Sequence, residues 1–234
     1  MGALTTVLSR AAGRVTAVEI DKRLLPVLSD ATKALKNVEI VHGDILKLDL
    51  AQLINEKMPD MEHHVCANLP YNITTPALTA FISADAFETI TVMIQKEVAQ
   101  RICAKPGSPE YGAFTVYVNY HAEPVMLFDV PPDCFIPRPK IFSSVITLKN
   151  LRERSFICKD EAMFFRVVRA AFGQRRKTLV NALYAAFGNQ FSKEDISQIV
   201  IKCGLDVRTR GETLGVEEFA KLSDSLCGAQ GSRE

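Results

Sequence analysis

The stretch Ala67-Asn68-Leu69-Pro70-Tyr71-Asn72 decides how this sequence is interpreted. It follows the apolar run Val65-Cys66-Ala67, which predicts the end of a buried strand, and it precedes residues 73–82, whose apolar spacing predicts a helix with Thr74 or Thr75 as its N-cap. A polar residue, a proline and an aromatic ring are therefore presented where a strand turns into a helix. In a doubly wound α/β sheet this is the carboxyl edge of the strands, where ligands bind.

The residue types in this turn suit methyl transfer to the exocyclic amine of a nucleobase. The lone pair of such an amine is delocalised into the ring, so the nitrogen is a poor nucleophile. The side-chain oxygen of Asn68 and the backbone carbonyl near Pro70 can accept both N–H groups and stabilise a pyramidal nitrogen. Tyr71 offers a face on which a flipped-out base stacks. Asn and Pro are also common in ordinary turns, so Asn68-Leu69-Pro70-Tyr71 alone fits either a methyl-transfer site or an ordinary turn. The rest of the chain decides between these two interpretations.

Length and composition limit the class of protein. A chain of 234 residues, 47% of them hydrophobic, can form one α/β domain with a small appendage, and no segment resembles a membrane span or a signal peptide. The six cysteines lie more than twenty residues apart without a Cys-x-x-Cys motif, which indicates reduced thiols, a cytoplasmic protein and no structural zinc. His63 and His64 are adjacent and would point to opposite faces of a strand, so we expect no metal site there.

The net charge of +1 hides an uneven distribution. Residues 1–150 carry two more acidic than basic side chains, whereas residues 151–234 carry three more basic than acidic ones. Five basic residues occur without an intervening acidic residue: Arg166, Arg169, Arg175, Arg176 and Lys177. This pattern is typical of a surface that faces phosphate groups, although a solvated helix face has the same composition.

The N-terminal part predicts half of a nucleotide-binding unit. A helix that ends at Gly13 precedes a strand at 15–21, which carries Glu19 near its end. A carboxylate at this place accepts hydrogen bonds from ribose hydroxyls. The next predicted elements are a helix at 21–35 and a short strand at 38–41.

The middle of the chain predicts two further strands, at 89–95 and 144–148, with a helix that begins at Lys96. Residues 113–120 are rich in β-branched and aromatic residues and would form a strand by propensity. A proline-rich loop precedes the last strand. Prolines fix φ, so this loop can hold Phe135 ready for a ligand at a lower ordering cost.

The C-terminal part predicts a small helical domain. Residues 149–154 are charged and poor in apolar side chains, and we place there the boundary between a domain of residues 1–150 and one of residues 151–234. Four segments beyond it have helical spacing and are separated by glycines: 161–172, 177–187, 193–203 and 216–226. The tail after Cys227 is expected to be frayed.

The sequence resembles the ribosomal RNA adenine dimethyltransferases, which use S-adenosylmethionine and carry an Asn-Leu-Pro-Tyr motif. The resemblance runs from Gly2 to about Leu226 and rests on motifs in the family's order: Gly2-Ala3-Leu4-Thr5, Glu19, Gly43-Asp44, Asn68-Leu69-Pro70-Tyr71, Gln95-Lys96-Glu97-Val98 with Tyr111-Gly112, Phe135-x-Pro-x-Pro-Lys140 and Gln174-Arg175-Arg176-Lys177. It implies an α/β fold, with a Rossmann-like methyltransferase sheet and a small all-helical C-terminal domain. It also implies a helix at 113–120, and we follow it there against propensity.

The resemblance implies roles for residues of this sequence. Asn68 and Pro70 would hold the target amine, and Tyr71 and Phe135 would sandwich the base. The cofactor S-adenosylmethionine would be bound by Gly2, Glu19, Asp44, Ile45 and Asn68. RNA would be bound by Arg138, Lys140, Arg175, Arg176 and Lys177.

The implied reaction dimethylates the N6 amines of two adjacent adenosines near the 3′ end of small-subunit rRNA during ribosome biogenesis. The enzyme would be a cytoplasmic monomer that needs no metal and contacts no membrane. Two alternatives stay open. One is an antibiotic-resistance methyltransferase of large-subunit rRNA, whose motif usually has Ile where Leu69 stands. The other is a non-catalytic rRNA-binding assembly factor.

The cofactor loop is the place where this sequence departs from the family. The family pattern resembles Gly-x-Gly-x-Gly-x-Leu-Thr, and only Gly2-Ala3-Leu4-Thr5 is present here. We therefore expect that the first strand of the sheet is missing and that the chain is a fragment or a misassigned start of a longer enzyme. Such a chain would bind the cofactor weakly or not at all and would be prone to aggregate.

Overall fold

A computed structural model describes residues 2–151, 156 and 158–231, apart from the side chains of residues 230 and 231. Helices and strands alternate through the first part: α1 (Ala3–Leu8), β1 (Val15–Glu19), α2 (Leu25–Thr32), β2 (Val38–His42), α3 (Leu50–Lys57), β3 (His64–Asn68), α4 (Thr74–Ser83), β4 (Thr89–Gln95) and α5 (Lys96–Ile102). The second part contains α6 (Ala113–His121), β5 (Ala122–Val130), β6 (Ser143–Asn150), α7 (Glu161–Gly173), α8 (Leu179–Phe187), α9 (Lys193–Lys202) and α10 (Val216–Gly231). Short 3₁₀ helices lie at Tyr71–Ile73, Pro132–Cys134 and Gly211–Thr213.

The strands form two sheets. In the first, β1 pairs in parallel with β2. The second has the order β3-β4-β6-β5, in which β3 and β4 are parallel and β6 is antiparallel to both of its neighbours. The predicted α/β class is therefore confirmed, and the parallel strands are divided between the two sheets.

The prediction of a buried strand before Asn68 was wrong. Side chains of β3 alternate between an exposed face, with Cys66 and Asn68, and a partly buried face, with Val65 and Ala67. The partly buried pair lies opposite buried positions of β4 in the register. Because side chains in a strand point alternately to opposite faces, this packing places Asn68 on the open side.

Two apolar clusters share helix α6. One lies between the four-stranded sheet and α3, α4 and α5, and it includes Val118. The other joins α7, α8, α9 and α10, and it includes Tyr111, Val116 and Tyr120. The helix at 113–120 is confirmed, and its two faces explain how a β-prone segment becomes helical: each face buries side chains in a different cluster.

The other helices, strands and caps agree with the sequence predictions in part. The four C-terminal helices are confirmed, and α10 continues to Gly231, so the tail is helical beyond Cys227 rather than frayed from there. The predicted cap of α4 was wrong, because Ile73 occupies the N-cap without a side-chain cap. Helix α3 and strand β5 were not predicted. The proposed domain boundary at 149–154 lies partly outside the described residues, which omit 152–155.

Candidate functional site

The turn after β3 presents an unpaired side-chain amide and an unpaired carbonyl. Asn68 is exposed, and within the described part of the chain its side chain makes no hydrogen bond. The Pro70 carbonyl accepts hydrogen bonds from the Ile73 N–H (3.1 Å) and the Thr74 hydroxyl (3.4 Å). Across the same described residues the Leu69 carbonyl has no donor, so it is the free backbone acceptor next to Asn68. Sequence reasoning placed this acceptor only near Pro70.

Tyr71 is held by a contact across the sheet. Its hydroxyl lies 2.8 Å from the Ser143 hydroxyl at the start of β6, and Ser143 is fully buried. Ser143 pairs with Gln95, the last residue of β4. Because β6 runs antiparallel to β4, its first residues lie at the carboxyl edge of the parallel strands. The ring of Tyr71 is therefore fixed at the edge that also carries Asn68.

The loop between β5 and β6 places Phe135 at the same end of the sheet. Pro132 is buried and anchors the short 3₁₀ helix, and the Phe135 N–H donates to the Pro132 carbonyl at 3.2 Å. Phe135 itself is half-buried. Arg138 forms an exposed ion pair with Asp133 at 2.9 Å. The loop thus joins the ends of β5 and β6 at the carboxyl edge of the parallel strands, and the β6 end contacts the turn after β3 through Ser143 and Tyr71.

Two carboxylates follow the strands of the smaller sheet. Oε1 of Glu19 accepts the Asp21 N–H at 2.8 Å, and the Glu19 carbonyl accepts the Gly43 N–H at 3.0 Å, which joins the ends of β1 and β2. Asp44 lies in the following turn, where its Oδ1 accepts the Leu46 N–H at 3.1 Å. Both carboxylates therefore lie at the carboxyl ends of parallel strands, as the sequence predicted.

Apolar side chains accompany these carboxylates. Ile45 is half-buried and packs against the cluster under the larger sheet. Ile20, directly after Glu19, is 62% exposed. Sequence reasoning did not select Ile20, and the only signal for it was an isoleucine between two acidic residues at a strand end.

The carboxylates of Glu19 and Asp44 and the side chain of Ile20 have the chemistry needed to bind the adenosine half of S-adenosylmethionine. Carboxylates can accept the hydrogen bonds of ribose hydroxyls and of the adenine amine, and exposed isoleucine can cover a face of the ring. Gly2 is the N-cap of α1 with φ of 70°, a left-handed conformation that glycine adopts without strain. A Cβ there would lie 3.4 Å from the Leu28 side chain, so the backbone approaches α2 closely.

The basic residues between α7 and α8 have different surroundings. Arg175 forms an ion pair with Glu212 at 2.7 Å and donates to the Pro109 carbonyl at 2.6 Å, so it joins three segments of the protein. Arg176 and Lys177 are exposed, and in the described ranges neither forms an ion pair. The predicted RNA-binding set thus contains one residue that is engaged within the protein and two that face solvent.

The structure also describes the histidines, the cysteines and the apolar helices. The described part of the chain contains no group of three or more His, Cys, Asp or Glu side chains that could hold a metal ion. All six cysteines are free thiols. His63 contacts the Met58 carbonyl and His64 contacts the Thr89 hydroxyl. Among the described helices none is long and apolar enough to cross a membrane.

The fold and this arrangement of strand ends define a Rossmann-like methyltransferase. The family model for ribosomal RNA adenine dimethylases matches residues 1–222, so the chain belongs to that family. The chain is 43% identical to a ribosomal RNA small subunit methyltransferase A from Caldanaerobacter subterraneus subsp. tengcongensis. The alignment covers 96% of this chain and 83% of the relative. The protein of the same name from Shouchella clausii is 45% identical over 97% of this chain and 77% of the relative.

Solved structures agree with the fold. A dimethyladenosine transferase from Plasmodium falciparum superposes with a TM-score of 0.77 at 24% identity, over 94% of this chain and 84% of that one. The 23S rRNA methyltransferase ErmE superposes with a TM-score of 0.71 at 22% identity, over 97% of this chain and 87% of that one. These superpositions confirm the expected fold, whereas the family expected from the motifs is confirmed by the family model and the relatives of 43% and 45% identity.

Proposed function

We propose that this chain is an S-adenosylmethionine-dependent rRNA adenine N6-dimethyltransferase that acts on two adjacent adenosines of small-subunit rRNA. The names of the relatives at 43% and 45% identity support small-subunit rRNA as the substrate. The observation that carries the proposal is the turn after β3, where the exposed Asn68 amide and the free Leu69 carbonyl stand beside the braced ring of Tyr71.

In the proposed reaction these three residues and Phe135 act on the target base. The Asn68 side-chain oxygen and the Leu69 carbonyl accept the two N–H groups of the adenine amine, which concentrates the lone pair on nitrogen. Tyr71 and Phe135 stack on the two faces of the flipped-out base. When bound, S-adenosylmethionine supplies an electrophilic methyl carbon and leaves as S-adenosylhomocysteine. The amine gains a bond to carbon and then loses one proton to solvent, so no strong general base is needed.

The cofactor would lie across the ends of β1, β2 and β3. Glu19 would accept the ribose hydroxyls, Asp44 the adenine amine, and Ile45 and Ile20 would contact the ring. Gly2 would let the backbone approach the methionine half, with Asn68 between cofactor and base. Lys140, Arg176 and Lys177 would contact rRNA phosphates. Arg138 is paired with Asp133, and Arg175 would support the basic loop by holding it in place. The protein would act as a monomer in the cytoplasm, and its free thiols agree with a reducing compartment.

Asn68→Ala tests the proposal. We expect single-turnover methylation of small-subunit rRNA to fall by about 10²–10³, the usual effect of removing one such electrostatic contact. The affinity for S-adenosylhomocysteine, measured by calorimetry, should change far less than the rate, because Glu19, Asp44 and Ile45 would still hold the cofactor when the Asn68 contact is lost. Asn72→Ala is the matched control, since Asn72 is an exposed asparagine of the same turn and has no assigned role.

The same assay separates the other candidates. Near-normal methylation by Asn68→Ala would contradict the assigned chemistry. Methylation of large-subunit rather than small-subunit RNA by the unmodified chain would favour the antibiotic-resistance class. RNA binding without any cofactor binding would favour a non-catalytic assembly factor.

A further inference from the structure

Phe142 is an exposed aromatic residue at the edge of the candidate site. The proposed reaction assigns no role to it. Its side chain is 49% exposed, and the neighbouring Ile141 is 43% exposed. Phe142 directly precedes Ser143, whose hydroxyl contacts Tyr71. Consecutive Cα atoms are about 3.8 Å apart, so the backbone of Phe142 adjoins the Tyr71 contact. Neighbouring side chains of an extended segment point to opposite faces, so the ring of Phe142 lies on the face of Lys96 and Asp129, at the same edge of the sheet.

The position of this ring is defined by a lysine. The Nζ atom of Lys96 lies 5.7 Å from the centre of the Phe142 ring, and the Lys96 N–H donates to the Phe142 carbonyl at 3.0 Å. The same Nζ lies 2.6 Å from the Asp129 carboxylate. An ammonium near an aromatic face is attracted by the ring quadrupole. The ring is therefore held from one side and open to solvent on the other.

The charges around the ring favour a phosphate-bearing partner. Lys96 is paired with Asp129 and Arg138 with Asp133, so these charges cancel. Lys140, two residues before Phe142, is exposed and forms no ion pair within the described residues. An exposed aromatic face with an uncompensated cation beside it is the combination that binds an unpaired base and its phosphate.

We propose that Phe142 stacks the unpaired nucleobase next to the target adenosine, with Lys140 against the adjoining phosphate. The inference rests on the proposed function and adds a second base-binding position to it. The enzyme thereby holds two consecutive nucleotides: one between Tyr71 and Phe135, and one on Phe142. Phe142 is a positioning residue, since it touches the neighbour and not the reacting amine.

The test uses the full chain and an RNA hairpin with an unpaired segment in which 2-aminopurine replaces the nucleotide next to the target adenosine. Stacking on an aromatic ring quenches 2-aminopurine fluorescence. Base–aromatic stacking corresponds to a factor of roughly five to 140 in affinity. We expect Phe142→Ala to lose the quenching and to bind the hairpin at least about five times more weakly. Phe142→Tyr should retain both.

Tyr184→Ala is the matched control. Tyr184 is also an aromatic residue of similar exposure, 43%, but it lies on helix α8 and not at the edge of the sheet. It should leave quenching and affinity unchanged. Unchanged quenching in a folded Phe142→Ala variant would overturn the inference. A monomer–dimer equilibrium that disappears in Phe142→Ala, with RNA binding intact, would also overturn it by making this face a protein contact. Phe142-dependent quenching without methylation would support the base contact and refute the proposed reaction.

Discussion

Tyr71 and Ser143 show how a single contact positions the candidate site. The two hydroxyls belong to residues 72 positions apart and lie 2.8 Å from each other. Ser143 is fully buried, so its hydroxyl depends on this partner. The bond fixes the direction of the Tyr71 ring, and the ring fixes where a base can stack.

Replacing Tyr71 by Phe keeps the stacking face and removes this bond. We expect the free energy of unfolding to fall by about 1–3 kcal/mol, because the buried Ser143 hydroxyl is left without its partner. Single-turnover methylation should fall less than for Asn68→Ala. Denaturant titration and the methylation assay measure the two effects. Ser143→Ala should behave similarly, and the double variant should add little to either single change. Fully additive effects would show that the two hydroxyls act independently.

Tyr111 allows a prediction about pH. Its buried hydroxyl donates to the Leu214 carbonyl at 2.8 Å, and burial, assisted by the charge of Glu218, raises the pKa of the phenol above its ordinary value of 10.0. Above about pH 10 the unfolded chain loses this proton while the folded chain retains it, so stability falls as pH rises. Below that pH the stabilisation is fully present.

We therefore expect the unmodified chain to lose stability more steeply than Tyr111→Phe between about pH 9 and pH 11. Urea titrations across this range measure the difference, and the comparison cancels the lysines and cysteines that both proteins share. Parallel pH profiles would mean that the phenol is not protected in the folded state.

At the scale of elements, the connection between α7 and α8 contains one arginine that bonds within the protein and two cations that we expect to bind rRNA. Arg175 joins this connection to Glu212 in the last 3₁₀ helix and to Pro109 before α6. Arg176 and Lys177 follow it on the surface. The engaged arginine therefore holds in place the connection that carries the two exposed cations.

Charge reversal separates these roles. Arg176→Glu with Lys177→Glu should weaken rRNA binding and reduce the slope of log affinity against log salt by about 0.7–0.9 for each lost phosphate contact. The melting temperature should change little. Arg175→Ala should instead lower stability, with a smaller change in slope. Filter binding at several salt concentrations and thermal melting test both claims. An unaltered slope in the double variant would mean that these residues are solvated loop residues without a phosphate contact.

At the scale of the whole molecule, the buried core is unevenly distributed. Of the described residues before Leu50, only Thr32 is buried. The two apolar clusters belong to the larger sheet, its helices and the C-terminal helices. A two-stranded sheet without a buried apolar face is marginally stable by itself. The part that carries Glu19 and Asp44 is thus the least stable part of the described chain.

Hydrogen exchange tests this distribution. Amides of β1 and β2 should exchange faster than those of β4 and β6, because fewer buried contacts must open. Excess S-adenosylhomocysteine should slow exchange in β1 and β2 and leave β4 and β6 nearly unchanged, since a ligand stabilises the state that binds it. Equal protection of both sheets without ligand would contradict the prediction.

Much of the fold was determined by local sequence. Apolar periodicity with turn residues predicts β4, the strand and carboxylate at Glu19, and the four C-terminal helices, because these signals depend on neighbours within one or two turns. The motif order also predicts that Asn68 stands at the carboxyl edge of a strand. Helix α6 required the family resemblance, since its β-prone composition is overridden by burial on two faces.

Only the tertiary structure decided which groups at the site are free. The Pro70 carbonyl is occupied and the Leu69 carbonyl is open, because the following residues turn back onto Pro70. Arg175 is engaged and Arg176 is free, because Glu212 approaches only the first of them. Phe142 lies beside Lys96 because β6 returns antiparallel to β4. Such pairings join residues far apart in the chain, and no local pattern encodes which of two adjacent groups finds a partner.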